Sequence, residues 1–199
     1  MITSLDQLDL EKKYSYADYL TWRLDEYVEL LRGRISRMAT PSRAHQLVVG
    51  QSYFLLRKHL DKNPCQVYVA PFDVRLLDKK KTTLEKEIFT VVQPDVCVVC
   101  DLSKLDDKGC IGAPDLVIEV LSFGTRQKDI KDKFELYEFN GVKEYWIVSA
   151  ADETITIFNL DDAGIFQFRK IHIGDESEVN AKVIEGFSFK LIDLFSAKY

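Results

Sequence analysis

The chain has 199 residues, of which 46% are hydrophobic, and a formal net charge of −5. That length and apolar share suffice for one core, so a single domain over 1–199 is expected, and the acidic balance argues against a protein that coats nucleic acid. No apolar run reaches membrane-spanning length, and the N-terminal "MITSLDQLDLEKK" lacks a basic-then-apolar leader, so the expectation is a soluble, cytoplasmic protein without a membrane partner.

In chain order, "YSYADYLTWRL" (14–24) has helical spacing of its bulky residues. "YVELLRGRISRMA" (27–39) reads as two short strands around a turn at Arg32-Gly33, although a continuing helix fits nearly as well. From here to residue 43 the chain carries four arginines and no acid, Arg32, Arg34, Arg37 and Arg43. Solvated surface is the ordinary reading of such a run; phosphate contact is the alternative. Pro41-Ser42 precedes a helical stripe over 43–63. Segments 66–77, 88–101 and 114–122 read as strands rich in β-branched residues. A helix over 125–141 follows, with Gly141 as its stop signal. "KEYWIVSA" (143–150) is a further buried strand, "TITIFNL" and "IFQFRKIHI" are strands around "DDAG", and the tail closes with a short helix. The class is α/β or α+β, a mixed sheet flanked by helices.

Of the four cysteines, Cys97 and Cys100 form "CVVC". On a strand, a three-residue offset puts them on opposite faces, and no histidine stands at metal-ligand spacing. Buried free thiols are therefore expected, not a zinc or redox centre.

The chemistry concentrates on strand-borne acids. In "GAPDLVIEVLS" (112–122), Asp115 and Glu119 interrupt an apolar run, and burying an ionised carboxylate requires a partner. Alternation puts both on one strand face, about 13 Å apart, too far to chelate one Mg²⁺ at about 2 Å. Only one of them can stand at the centre of a metal site. Asp95 in "QPD" and Asp73 in "APFDVRL" are acids on the two preceding strands. On the following helix, Asp129, Lys133 and Tyr137 recur at i, i+4 and i+8. Lys133 either pairs with Asp129 along the helix or faces the strand acids.

With these residues in view, the chain resembles the Uma family of restriction-endonuclease-like proteins, of the PD-(D/E)XK nuclease superfamily. The resemblance is carried by "YVELLRGRI", "TPSRAHQLVVGQ", "VAPFDVRL", "VVQPDVCVV", the long block 112–150 and "GFSFKLIDLF". It implies a restriction-endonuclease-like core with an added N-terminal hairpin and C-terminal strands. It implies Asp95 and Glu119 as ligands of Mg²⁺ or Mn²⁺, with Lys133 as catalytic lysine and Glu29 completing the acidic cluster. Leu121 stands where the motif lysine is expected, and the resemblance moves that function to Lys133. His45 matches a polar position near the family's site, and Asp115, Asp129 and Tyr137 match recurrent positions; with the strand acid Asp73 they are candidates for a supporting shell, Asp115 being either a neighbour of the site or a strand-entry residue. "SFGT", "VSA" and Arg32 depart from the family's usual "SPST", "VDP" and acid before the turn glycine. The implied activity is metal-dependent hydrolysis of DNA by a homodimer, with the four arginines on phosphates. The alternative is a catalytically silent nuclease-fold module that binds nucleic acid or protein.

Overall fold

The computed structural model describes residues 1–80, 82–121 and 128–196, without the side chains of Lys128 and Asp129. Helix α1 spans Tyr16–Tyr19, one turn where sequence spacing suggested three. Strands β1 (Val28–Leu31) and β2 (Arg34–Arg37) form an antiparallel hairpin. Its turn residues Arg32 and Gly33 both take positive φ, 52° and 86°, the backbone that matches strand twist in a two-residue hairpin. This settles the choice against a continuing helix. Helix α2 (Arg43–His59) starts at Ser42, whose side chain accepts from the His45 amide, and carries Arg57 and Lys58 in its last turn, charges suited to the negative helix terminus.

Each of the two long strand runs that follow is broken near a proline. Segment 66–77 becomes β3 (Gln66–Val69) and β4 (Val74–Leu76), separated at Pro71. Segment 88–101 becomes β5 (Thr90–Val92) and β6 (Val96–Val99), separated at Pro94. Proline donates no ladder hydrogen bond, and after each break the chain crosses to another sheet. Then come β7 (Leu105–Asp106), β8 (Gly109–Ile111), β9 (Leu116–Leu121), α3 (Lys128–Asn140) and β10 (Glu144–Ser149). The chain continues through β11 (Thr154–Leu160), β12 (Phe166–His172), β13 (Glu178–Asn180), β14 (Ser188–Lys190) and α4 (Leu191–Phe195).

The mixed α+β class stands, but the sheet is not single. One six-stranded sheet runs β2-β1-β5-β4-β8-β7; a second runs β12-β11-β10-β9-β6-β3, with β13 and β14 as a separate pair. The N-terminal hairpin is thus built into the first sheet, and β11 and β12 extend the second. In the second sheet β9 and β10 are parallel, and β6 is antiparallel to β9.

Alternation on these strands feeds two cores. Val96, Val98, Leu116, Ile118 and Val120 join α2 and α4 in one cluster. Cys97, Val99 and Val117 face the other way, with Leu136, Tyr137 and Tyr145. The same alternation separates Cys97 from Cys100, as the three-residue offset requires. The expectation of four free thiols needs correction, however, because Cys65 and Cys100 are joined in a disulfide. The β3–β6 ladder pairs Gln66 with Val99, so the residues just outside that pair face each other across neighbouring strands. Sequence spacing shows no such contact. Cys97 and Cys110 are free and buried. Among the described residues no helix is long and apolar enough to cross a membrane.

Candidate active site

The β6–β9 register pairs Val96 with Ile118. Extended by one residue, it places Asp95 opposite Glu119 on the face shared with Cys97 and Val117. Asp95 follows Pro94 and immediately precedes β6, so its side chain stands at the strand entrance. Its Oδ2 accepts from the Val120 amide at 2.7 Å and lies 3.2 Å from His45 Nε2. The helix cap at Ser42 sets the position of His45. Burial alone would depress the imidazole pKa, but the hydrogen bond to Asp95, its charge and that of Glu119 outweigh this and raise it. His45 Nδ1 is buried without a partner among the described residues.

Glu119 takes two donors on one oxygen. Lys133 Nζ donates to Oε1 at 2.9 Å and the Tyr137 hydroxyl donates to the same atom at 2.6 Å. The i, i+4 spacing on α3 thus aims both side chains at the strand acid. Lys133 Nζ also lies 2.9 Å from Oε1 of Glu29, the buried acid of β1. Glu29 Oε1 in turn accepts from the Gln93 amide at 2.8 Å. One ammonium therefore ties an acid of the first sheet to an acid of the second.

The charges are unbalanced. Burial, with the neighbouring charges of Asp95 and Glu29, pushes the Glu119 pKa up to about 7 despite the opposing pull of Lys133. Burial works against the Lys133 ammonium, but Glu119, Glu29 and Asp95 hold its pKa well above the ordinary lysine range. These shifts pull apart: the lysine is secured by the pair, whereas the glutamate is not held acidic by it. Three carboxylates around one cation explain both.

Asp95, Glu119, Glu29, Lys133 and His45 line one open cleft of about 540 Å³, together with Gln93, Arg37 and Tyr145. Each of the three acids has one oxygen engaged as described. Among the described residues, Asp95 Oδ1, Glu119 Oε2 and Glu29 Oε2 accept no hydrogen bond from protein. Hard carboxylate oxygens left over beside a cleft suit Mg²⁺ or Mn²⁺. No three of the described acidic, histidine or cysteine side chains form a ligand cluster on their own. Two carboxylates completed by water is the mode Mg²⁺ favours, so the residues fit such an ion.

Other sequence candidates lie elsewhere. Asp115 does not join the cluster: it accepts from the Cys100 amide at 2.8 Å and from Lys143 Nζ at 2.6 Å, at the other end of β9. Its burial is answered by a strand-end tie, in keeping with a strand-entry residue and not with a neighbour of the site. Asp73 lines a second cleft and reaches the first only through Gln93, which donates to it at 2.9 Å. The side chain of Asp129 lies outside the described residues, as does "SFGT". The four arginines have different surroundings. Arg34 pairs with Glu11 at 3.1 Å, Arg32 lies 3.9 Å from Glu135 on α3, and Arg43 is exposed at the start of α2. Arg37 alone of the four lines the cleft, 3.8 Å from Glu26. Gln93 and Tyr145 were missed in the sequence; a buried amide two residues before Asp95 was the available signal.

Comparisons with known proteins agree with this architecture. A structure from Anabaena variabilis, described as "a putative nuclease belonging to DUF820", superposes with a TM-score of 0.72. The match covers 92% of this chain and 98% of that one at 15% identity, which shows a shared fold. The "Uncharacterized protein slr1290" of Synechocystis sp. is 28% identical over 172 residues, 85% of this chain and 86% of the relative. Residues 16–193 match the Uma2 family, whose description is "Putative restriction endonuclease", and the chain belongs to that family.

Proposed function

We propose that the protein is a nuclease, and more narrowly a Mg²⁺- or Mn²⁺-dependent endonuclease acting on DNA. The observation that carries this reading is the convergence of Asp95, Glu119 and Glu29 on Lys133 beside an open cleft. Family membership supports the reaction class; the choice of metal and of DNA rests on the acids and on the phosphodiester chemistry they suit.

Asp95 and Glu119 would hold the ion, with Glu29 completing the negative charge around it. The ion would polarise the phosphodiester and lower the pKa of an attacking water. Lys133, fixed by two carboxylates and protonated throughout the physiological range, would stabilise charge developing on the phosphoryl oxygens. Tyr137 stays a neutral hydroxyl, since burial and the Glu119 charge raise its pKa, and it holds Glu119 in place. His45 orients Asp95 in the same way. Arg37 at the cleft rim would meet a backbone phosphate, giving affinity without sequence choice.

The test is purified protein on supercoiled and single-stranded DNA with Mg²⁺, with Mn²⁺ and with EDTA. Metal-dependent nicking or strand cutting is expected, and none in EDTA. Binding without cutting under every condition would instead favour a silent nuclease-fold module. Size-exclusion chromatography with light scattering would test the homodimer that cutting of both strands calls for.

Asp115→Asn serves as the internal contrast to the site acids. Asn keeps an acceptor for the Cys100 amide, and the lost pair has Lys143 mostly in solvent. Stability should fall by no more than about 1 kcal/mol, and cutting should stay within about twofold of wild type, as expected for a residue outside the catalytic charge cluster. A collapse of activity with folding intact would return Asp115 to the site.

A further inference from the structure

The second cleft, about 560 Å³, shares Glu26, Tyr27, Pro71 and Gln93 with the first. Its lining is unsuited to phosphate. Glu26, Asp73, Asp106 and Asp107 stand against Arg23 and Lys108. Both cations are already engaged, Lys108 with Glu85 and Arg23 with the Leu20 and Trp22 carbonyls.

Its walls are aromatic. Tyr27 stands at the rim common to both clefts with 65% of its surface exposed. Tyr19 and Phe72 lie further in, and Phe72 is held flat against Tyr68 at 4.1 Å between ring centres. Tyr19 and Phe72 are packed against core clusters, which leaves Tyr27 as the exposed ring on which a base can stack.

The inner wall offers acceptors. Asp73 receives only neutral donors, the Tyr16 and Tyr19 hydroxyls at 3.3 and 3.4 Å and Gln93 Nε2 at 2.9 Å. No cation pairs with it among the described residues. Because Asp73 needs a donor, the Gln93 amide is oriented with its nitrogen towards that carboxylate. Gln93 Oε1 is then left over. It has no partner among the described residues, in a side chain whose residue is only 5% exposed, and a buried acceptor without a donor is costly.

We propose that this second cleft is a subsite for an unpaired, amino-bearing nucleobase of the strand whose phosphate lies at Asp95 and Glu119. The inference rests on the nuclease reading and narrows its substrate to single-stranded or locally opened DNA. The base would stack on Tyr27 and present its N–H edge to Asp73, which Gln93 helps to hold in place, while its phosphate stays in the first cleft. Gln93 links the two places: its backbone amide holds Glu29 and its side chain reaches Asp73.

The test is fluorescence anisotropy of the full chain with labelled oligonucleotides in EDTA, where no strand is cut. Four probes are compared: a single strand rich in cytosine, the same strand with abasic sites, an oligothymidine, and the matching duplex. The cytosine strand is expected to bind roughly tenfold more tightly than the abasic strand, the effect of losing one stacked base. It should also bind more tightly than oligothymidine and the duplex. Tyr27→Ala should erase the preference over the abasic strand, and Tyr27→Phe should retain it. Tyr27 is exposed, so its truncation leaves the fold in place; circular dichroism verifies this. Equal binding of intact and abasic strands, or duplex binding as tight as single-strand binding, would overturn the base subsite alone. Failure to bind any strand, with metal-dependent cutting intact, would overturn the base subsite; failure of both binding and cutting would overturn the nuclease reading with it.

Discussion

Glu119→Gln is expected to lower metal-dependent cleavage by roughly 10²–10³-fold, the scale of losing one electrostatic stabiliser from an active site. In EDTA the same variant should be more stable than wild type at pH 8. The glutamate's folded pKa is raised to about 7 by burial and by the charges of Asp95 and Glu29, against the pull of Lys133. A carboxyl with a raised pKa binds more protons in the folded state than in the unfolded one. Stability from this group is therefore full below the ordinary glutamate pKa of about 4.3 and is lost as pH rises to about 7. The loss is on the order of 3 kcal/mol. Gln removes that dependence, so the two melting curves should diverge between pH 5 and 8 and converge below. Thermal melts across that range, beside cleavage assays in Mg²⁺, separate the outcomes. Cleavage retained within tenfold would remove Glu119 from the site. A variant less stable than wild type at pH 8 would mean that the Lys133 and Tyr137 bonds outweigh the repulsion.

Glu144→Ala is expected to destabilise the fold by about 3–5 kcal/mol, the cost of leaving several buried donors unpaired. Glu144 is fully buried at the start of β10. Its Oε1 accepts from Trp146 Nε1 at 2.7 Å and lies 3.4 Å from Arg169. Its Oε2 accepts from the Lys182 and Val183 amides at 2.7 and 3.1 Å. One carboxylate thus fastens the chain after β13 to the second sheet, close to the cluster that includes Val183, Ile184 and Phe187. Alanine would leave an indole N–H and two backbone amides without acceptors. Gln should also be harmful, because its NH₂ would meet either the indole donor or the two amide donors. In a domain of this size the alanine change corresponds to roughly a 10 °C fall in Tm. Differential scanning calorimetry decides: a fall under about 2 °C would mean that water replaces the carboxylate at that position.

Glu144 also shows where sequence reasoning stops. It sits in "KEYWIVSA", legible as a buried strand, yet nothing local pairs it with Arg169 of a later strand or with the amides at 182 and 183, which lie in no segment read from the sequence. The disulfide has the same origin. Cys65 and Cys100 are 35 residues apart in sequence and meet only because β3 pairs with β6.

The sequence by itself determined most strand and helix positions, because alternation, helical spacing and glycine or proline stops are local properties of the chain. It also separated Asp115 from Glu119, since strand rise alone puts them too far apart to share an ion. Resemblance then pointed to Asp95, Glu119, Glu29 and Lys133, and the tertiary structure gathers those four side chains at one cleft. Only tertiary structure could decide that the sheet is two sheets, that Asp115 is paired with Lys143, and that Arg32, Arg34 and Arg37 meet three different acids. It alone shows Gln93 spanning two clefts. Those facts depend on which strands become neighbours and in what register. That choice is made by packing between segments distant in sequence, and no local pattern records it.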